Sequence, residues 1–249
     1  MTTKTTTKPA PRQPRIERDE AMTLAAGEYE RILEVLRSLS PDDWTKATDC
    51  PGWDVRTMAT HVLASAQAHA SVRETLHQYR GARRTGPNFV DGMTTVQVRD
   101  RAALTPTQIV EQLELAAPAS VRARRRTPSL IRSRSAYIDV ADERWSLAYL
   151  LDVIFTRDAW MHHVDITRAT GREMVLTPGH DGRIVADAVA EWAARHEQPF
   201  HRVLEGPAGG AFGSAGDGTP ELRIDAVEFC RALSGRAEVP EILDQEVPF

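Results

Sequence analysis

The chain has 249 residues, with a net charge of −4 at neutral pH, 41% hydrophobic residues and 27% charged residues. This length and composition are typical of a globular protein that buries a sizeable core. The negative net charge gives no reason to expect binding to nucleic acid. The two cysteines, Cys50 and Cys230, are too few for a disulfide framework, and they favour a reducing, cytoplasmic environment. Without an apolar run of about 18 residues, we predict no membrane span.

The first fifteen residues, MTTKTTTKPAPRQPR, are rich in threonine, proline and basic side chains. They lack the apolar segment of a secretory signal, so we predict a disordered tail at residues 1–15. Behind it, apolar residues recur every three or four positions over residues 17–39, a spacing that predicts the first helix. Pro41 ends this helix.

The second helix is predicted to begin near Asp54, because aspartate is a favoured N-cap residue. Its apolar stripe runs toward Tyr79. Residues 81–95 are rich in glycine and are predicted to form a loop.

A third helical region is predicted at residues 96–126, with a restart at Pro106 and a kink or an early end at Pro118. A fourth helix is predicted at residues 142–169, closed by Gly171. Four amphipathic helices with few strand signals predict a mainly α fold, built on an up-and-down four-helix bundle.

The pattern changes after the fourth helix. Another helix is predicted at residues 182–196, short strands within the glycine-rich segment 199–220, and a last helix after the N-cap Asp225. We therefore predict a bundle domain at residues 16–173 and a small α+β domain at residues 174–249.

The fourth helix carries unusual polar residues in the stretch RDAWMHHVDITRATG, residues 157–171. At about 100° per residue, some of them fall on its apolar face and the others do not. The polar residues predicted to point inward are Asp158, His162 and Asp165. Those predicted to point away from this face are Arg157, Trp160 and His163. Trp160 is expected to pack against the C-terminal unit or a partner chain.

Asp158 and His162 lie four residues apart on one face and can hold a cation between them. The best third ligand is His61, at the flank of the apolar stripe of the second helix. Three protein ligands leave positions open, as in a catalytic metal site. Asp165 is a candidate for orienting a ligand imidazole. The alternative is a buried polar network without a metal.

The linker and second helix, WTKATDCPGWDVRTMATHVLAS, strongly resemble the W-x-x-P-T-x-C-P-G-W-x-V-R-x-x-x-x-H-L block of the DinB-like, mycothiol-dependent maleylpyruvate isomerase family. The stretch RDAWMHHVDITRATG resembles the E-x-x-x-H-x-x-D-I-x-x-A-x-G block of that family. DAVEFCRALSGR and the final VPF are similar to the family's smaller C-terminal domain. The resemblance covers residues 17–249.

The resemblance implies a divalent metal, typically zinc, bound by His, Glu and His inside a four-helix bundle. His61 and His162 match the two histidines, and Asp158 stands where the family has glutamate. Aspartate is one methylene shorter, so the metal would lie closer to the fourth helix or be held less tightly. Ala47 replaces the proline of the first block.

The resemblance also implies mycothiol as a thiol cofactor. A bound cation lowers the pKa of a thiol, and the thiolate can then isomerise a double bond or form a thioether. We therefore expect a metal- and mycothiol-dependent isomerase or S-transferase that acts on a small electrophile. The alternatives are a hydrolase that uses a metal-bound water, and a non-catalytic ligand-binding protein.

Other residues near these motifs are weaker candidates. Arg56 and Arg157 lie close to the ligands in sequence and are candidates for contacting the cofactor or an anionic substrate. Cys50 is interpreted as a packing residue of its loop rather than a nucleophile, because no base partner is evident. The six arginines within residues 122–134 are interpreted as a solvated helix end, with an anion site as the alternative. A homodimer is possible for bundles of this kind.

Overall fold

Four long helices form a bundle in the computed structural model, which describes residues 10–214, 221–238 and 245–249. They are α1 (Arg18–Ser38), α2 (Val55–Ala70), α5 (Pro106–Arg126) and α8 (Phe155–Thr170). Helix α5 packs against α1 and α2, and α8 packs against the same two helices. The predicted mainly α fold with a four-helix bundle is therefore confirmed.

Local capping residues set the starts of two bundle helices, α2 and α5. The Asp54 side chain accepts a hydrogen bond of 2.8 Å from the backbone N–H of Thr57 at the start of α2. Thr105 and Gln108 form a reciprocal capping box at the start of α5. Pro118 lies inside α5 without ending it, so the prediction of an early end there was wrong.

Two shorter helices, α3 (Val72–Ala82) and α4 (Phe89–Arg99), form a hairpin between α2 and α5. The predicted loop at residues 81–95 was therefore wrong beyond Asn88. Gly81 and Gly92 lie within the helices and allow close packing, whereas Gly86, with a φ of 87°, lies in the loop between them. A Cβ at Gly92 would lie 2.3 Å from the carbonyl oxygen of Ala82.

The segment before α8 is more varied than the single predicted helix at 142–169. Between α5 and α8 lie α6 (Ser129–Arg132), strands β1 (Ser135–Ile138) and β2 (Glu143–Ser146), α7 (Leu147–Tyr149) and a π-helical turn (Leu150–Ile154). The two strands form an antiparallel hairpin with Ser135 opposite Ser146. The predicted start of the fourth helix was wrong, because residues 143–146 pair with the nearby strand β1 instead of extending the helix.

The C-terminal part comprises α9 (Asp181–His196), β3 (His201–Glu205), β4 (Gly210–Gly213), β5 (Glu221–Asp225) and α10 (Ala226–Leu233). The sheet order is β4-β3-β5, with β3 and β4 antiparallel and β3 and β5 parallel. Trp192 packs its ring edge-to-face against Phe200 and Phe229, with centroids 5.2 and 5.5 Å away. Asp225 caps α10 as predicted.

One hydrophobic cluster contains residues of both the bundle and the C-terminal part, so the domain boundary between residues 173 and 174 stays a prediction. Residues 1–9 of the predicted tail lie outside the described residues. Further along that tail, Arg12 pairs with the backbone near Trp145 and forms a salt bridge of 2.6 Å to Glu143. In the described parts of the chain, every helix is too short or too polar to cross a membrane.

Candidate metal centre

Helices α2 and α8 bring His61, Asp158 and His162 together, with one potential ligand atom of each within 4.8 Å of the others. The Asp158 carboxylate lies between the two imidazoles. Its oxygens are 3.5 Å from His61 Nε2 and 3.3 Å from His162 Nε2. The three side chains predicted as ligands therefore lie close enough together to bind one cation.

The spacing on each helix explains this convergence. Asp158 and His162 lie one turn apart on α8, so their side chains share one face of this helix. A π-helical turn directly precedes the helix. The side chains of His61, Asp158 and His162 are 12%, 25% and 6% exposed. The centroid of the Trp53 ring lies 5.4 Å from that of the His61 ring and 6.2 Å from that of the His162 ring. The cluster is therefore partly enclosed, with the Trp53 ring on one side of the two imidazoles.

The electrostatic coupling within the cluster is strong. Burial opposes the charged form of His162, but Asp158 and then Asp165 outweigh it and raise the pKa of His162 to about 9. Burial likewise opposes the Asp158 carboxylate, but His162 and His61 outweigh it and lower the Asp158 pKa well below its usual range. The position of this carboxylate favours a positive charge beside it.

Asp165 contacts the other ring nitrogen of His162, with its Oδ2 3.3 Å from Nδ1. Its carboxylate also accepts bonds of 3.1 Å from Nε of Arg236. Burial raises the pKa of Asp165, but His162 and Arg236 together lower it below its usual value. Asp165 therefore remains a carboxylate that orients the imidazole, as carboxylates do behind many metal-bound histidines.

Arg236 is a residue that the sequence analysis missed. It follows Gly235, whose φ of 73° ends the last helix in the left-handed region. This turn returns the chain toward α8, so that Arg236 from the C-terminal part reaches Asp165. The only sequence signal was the position of this arginine at the end of the family-like segment DAVEFCRALSGR.

Cys50 lies beside the same carboxylate. Its Sγ is 3.8 Å from Asp165 Oδ2 and 3.6 Å from Arg236 Nη2. Burial, the largest influence, and the Asp165 charge raise the pKa of this thiol to about 11, against the opposing effect of Arg236. The thiol is therefore protonated at neutral pH, which argues against a nucleophilic role.

The two arginines named as candidates for cofactor or substrate contact have other partners. Arg56 donates to the carbonyl oxygens of Ala102 and Leu104, at 2.8 and 2.6 Å, and so joins α2 to the loop before α5. Arg157 is 2% exposed and forms ion pairs with two acidic side chains of α9, Asp187 at 2.6 Å and Glu191 at 2.9 Å. The structure gives both arginines a packing role.

His163 lies off the face of Asp158 and His162, as predicted, but it is buried against α1 rather than exposed. Its side chain is 3% exposed, and its Nδ1 lies 2.9 Å from Glu28 Oε1 on α1. Trp160, by contrast, packs against the C-terminal part as expected. Its Nε1 donates a bond of 3.0 Å to Asp181, and its ring lies 6.2 Å from that of Phe249.

The residues of the cluster fit a metal ion. Two imidazoles and a carboxylate are a ligand set that zinc accepts in catalytic sites. The Nδ1 atom of His61 is buried and has no hydrogen-bond partner among the described residues.

Comparisons with known proteins agree with the resemblance read from the sequence. A family model described as the mycothiol maleylpyruvate isomerase N-terminal domain matches residues 25–167. A crystal structure of a mycothiol-dependent maleylpyruvate isomerase matches with a TM-score of 0.59 and 17% sequence identity, covering 92% of this chain and 97% of the other. A histidine-to-alanine mutant of such an enzyme matches with a TM-score of 0.58 and 18% identity, over the same shares of the two chains.

A search of curated proteins found no match. At these identities the two solved structures establish the fold, and the family model carries the assignment. That model covers more than half of the sequence, including the segments that hold His61, Asp158 and His162. The chain therefore belongs to the mycothiol maleylpyruvate isomerase family, a family of enzymes.

Proposed function

We propose that the chain is a zinc- and mycothiol-dependent isomerase or S-transferase that acts on a small electrophilic substrate. The observation that carries this proposal is the convergence of His61, Asp158 and His162 inside the bundle of an enzyme family named for mycothiol. Two imidazoles and one carboxylate leave coordination positions for an exchangeable ligand.

Each residue has a distinct task in this proposal. His61, Asp158 and His162 hold the cation, and Asp165 keeps the His162 ring oriented through Nδ1. Trp53 covers the two imidazoles and limits the access of water. When bound, the cation lowers the pKa of the mycothiol thiol and so supplies a nucleophilic sulfur.

The raised pKa values of the protein's own thiols favour a separate molecule as the source of the reactive sulfur. Burial raises the pKa of Cys50 to about 11 and that of Cys230 to about 12. Both remain protonated near neutral pH, and Cys230 is fully buried. Thiol chemistry at this site therefore calls for a cofactor.

A cytoplasmic location and a homodimer stay predictions.

The metal assignment is tested by elemental analysis of the purified protein. We expect one zinc per chain in the wild type and its loss in His61→Ala and in His162→Ala, because each variant removes a ligand. The matched control is His77→Ala, since His77 is exposed and pairs with Asp100 away from the site. Full metal retention in both ligand variants would contradict the proposal.

The thiol requirement is tested separately by calorimetry of zinc-loaded protein with mycothiol. We expect binding that is lost when zinc is removed and restored when it is added back. A panel of small electrophiles is then assayed with and without the thiol. Activity that is independent of thiol would instead indicate a hydrolase with a metal-bound water.

A further inference from the structure

An open cleft of about 750 Å³ lies between α1 and the connection from α8 to α9. Its wall includes Gly27 and Arg31 of α1, His163 of α8, and His180, which directly precedes α9. The three proposed zinc ligands are not among the residues that line it. Two imidazoles therefore border a space that the proposed function does not use.

Glu28 lies behind these two imidazoles and contacts both. Its Oε1 is 2.9 Å from His163 Nδ1, and its Oε2 is 2.8 Å from His180 Nε2. Burial opposes the charge of Glu28, but His163 and His180 outweigh it and lower its pKa to about 2. A carboxylate only accepts hydrogen bonds, so both of these ring nitrogens donate to it.

Asp181 brings a second buried carboxylate to the same place. Potential ligand atoms of Glu28, His180 and Asp181 all lie within 4.8 Å of one another, and both acidic residues are 0% exposed. Among the described residues, the permanent cation that pairs with either of them is Arg31, whose Nη1 is 3.5 Å from Asp181 Oδ2. Two buried negative charges thus share one distant guanidinium, so the position favours a further positive charge.

His163 carries an unpartnered polar atom in the wall of the cleft. Its side chain is 3% exposed, and its Nε2 has no hydrogen-bond partner within the described ranges of the chain. Because Nδ1 carries the proton donated to Glu28, the neutral ring has a lone pair at Nε2. Buried polar atoms are nearly always paired in native proteins, so this lone pair indicates a donor supplied from the cleft.

We propose that Glu28, His180 and Asp181 bind a divalent transition-metal ion at the floor of this cleft. Two carboxylates and one imidazole suit first-row transition metals, whereas Mg²⁺ and Ca²⁺ prefer ligands that are all oxygen. His163 orients Glu28 through Nδ1, and its Nε2 accepts a hydrogen bond from a water on the cation. This second site goes beyond the proposed function and does not depend on it.

Metal binding changes the tautomer of His180. The proton that Nε2 donates to Glu28 moves to Nδ1 of the same ring, and Nε2 then presents its lone pair to the cation. Gly27 leaves space beside Nδ1, since a Cβ at this position would lie 3.2 Å from it. Glu28 belongs to α1, and Asp181 is the first residue of α9, so the bound cation joins these two helices.

The second site is expected to bind its cation more weakly than the proposed zinc site. Asp181 already accepts bonds from the backbone N–H of Thr177 at 2.7 Å and from Trp160 Nε1 at 3.0 Å. Glu28 also gives up its bond from His180 when the metal binds. The purified protein is therefore expected to carry the one zinc ion, and the second site to fill when metal is added.

The test is a titration of zinc-loaded protein with Co²⁺, followed by calorimetry and by the visible absorption of the bound cobalt. We expect one further equivalent to bind, with the zinc retained by elemental analysis. In His180→Gln, the affinity for this equivalent should fall by at least about 10- to 100-fold. The matched control is His77→Gln, since His77 is an exposed histidine that also pairs with a carboxylate, at 2.6 Å from Asp100.

Two further measurements decide the question if His180→Gln does not fold. Glu28→Gln keeps the size of a ligand and removes its charge, so it should lose the added equivalent, with its fold checked by circular dichroism. In the zinc-loaded wild type, excess Co²⁺ should raise the thermal midpoint, because the cation joins α1 to α9. Mg²⁺ at the same concentration should not.

Two results would overturn the inference. One is the absence of a further Co²⁺ equivalent in zinc-loaded wild type, and the other is unchanged Co²⁺ affinity in folded His180→Gln or Glu28→Gln. Either result leaves the zinc assignment intact. Failure of the wild type to bind zinc would refute the proposed function instead. The loss of one Co²⁺ equivalent in His180→Gln would still report on the second site, because His180 is not a proposed zinc ligand.

Discussion

Two adjacent histidines on α8 belong to two different polar clusters. His162 faces Asp158 and Asp165 beside the proposed zinc site. His163 is turned by about 100° along the helix and faces Glu28 instead. The second oxygen of Glu28 lies 2.8 Å from His180 Nε2, so this carboxylate joins α1, α8 and the start of α9. The angular separation was predictable, but the burial of His163 depends on packing against α1.

Glu28 gives a prediction for the dependence of stability on pH. Burial opposes its charged form, but His163 and His180 outweigh it and lower the pKa from 4.5 to about 2. Its stabilising contribution is therefore complete above the unfolded pKa near 4.5 and is lost as the pH falls through the folded pKa near 2. We expect Glu28→Gln to lower the free energy of unfolding at pH 7 by on the order of 2–3 kcal/mol.

This effect is measured by urea unfolding of wild type and Glu28→Gln between pH 7 and pH 2. The difference between the two proteins should be largest above pH 4.5 and should shrink toward pH 2. Glu30→Gln, at an exposed position on the same helix, serves as control and should differ little from wild type at any pH. A constant difference across the whole range would show that Glu28 contributes through packing rather than charge.

At the scale of single elements, α8 was predicted accurately at its end and poorly at its start. The end depends on one residue, Gly171, which adopts a φ of 69° and closes the helix. The start depends on β1, a strand that pairs with residues 143–146. A glycine cap can be read from a few neighbouring residues, whereas a short apolar segment next to a helix fits a strand as well as a further helical turn.

At Gly171, the free-energy cost of a left-handed backbone conformation can be measured without an added steric clash. A Cβ at Gly171 meets nothing within 4 Å, so Gly171→Ala is strained only by its positive φ. We expect a loss of about 1 kcal/mol in the free energy of unfolding, measured by chemical denaturation. Gly179→Ala is the control, because it also meets nothing but lacks the left-handed conformation. Equal effects of the two substitutions would contradict this explanation.

At the scale of the whole molecule, a buried ionic network joins the bundle to the C-terminal part. Arg157 of α8 bonds Asp187 and Glu191 of α9 and also the carbonyl oxygen of Pro248. Glu191 in turn accepts bonds from the Tyr149 hydroxyl at 2.7 Å and from Arg195. The network therefore holds α9 against the helix that carries Asp158 and His162, two of the proposed metal ligands.

Removal of one member should be strongly destabilising. Arg157→Met leaves Asp187 and Glu191 buried with fewer positive partners, at a cost of about 3–5 kcal/mol of unfolding free energy. Urea unfolding measures this loss, and Arg168→Met, at a half-exposed arginine of the same helix, is the control, with an expected loss below about 1 kcal/mol. A loss of the same small size in Arg157→Met would mean that the network contributes little to stability.

The sequence by itself determined the features that depend on neighbouring residues or on a helical repeat. These include the four bundle helices, the N-caps Asp54 and Asp225, and the common face of Asp158, His162 and Asp165. Helical periodicity fixes which side chains share a face, because it acts over a few residues only. His61 was placed at the site by the family resemblance together with its position on the stripe of α2.

Only the tertiary structure decided which residues from distant segments meet. Arg236 reaches Asp165 through the turn after α10, and Arg157 pairs with acidic residues on α9 rather than at the proposed metal site. Arg124 was one of six arginines that resembled a solvated helix end, yet it lies buried and donates to the carbonyl oxygen of Leu151 and the hydroxyl of Thr156. Burial and charge pairing depend on the packing of whole helices, so no local pattern distinguishes a buried arginine from an exposed neighbour.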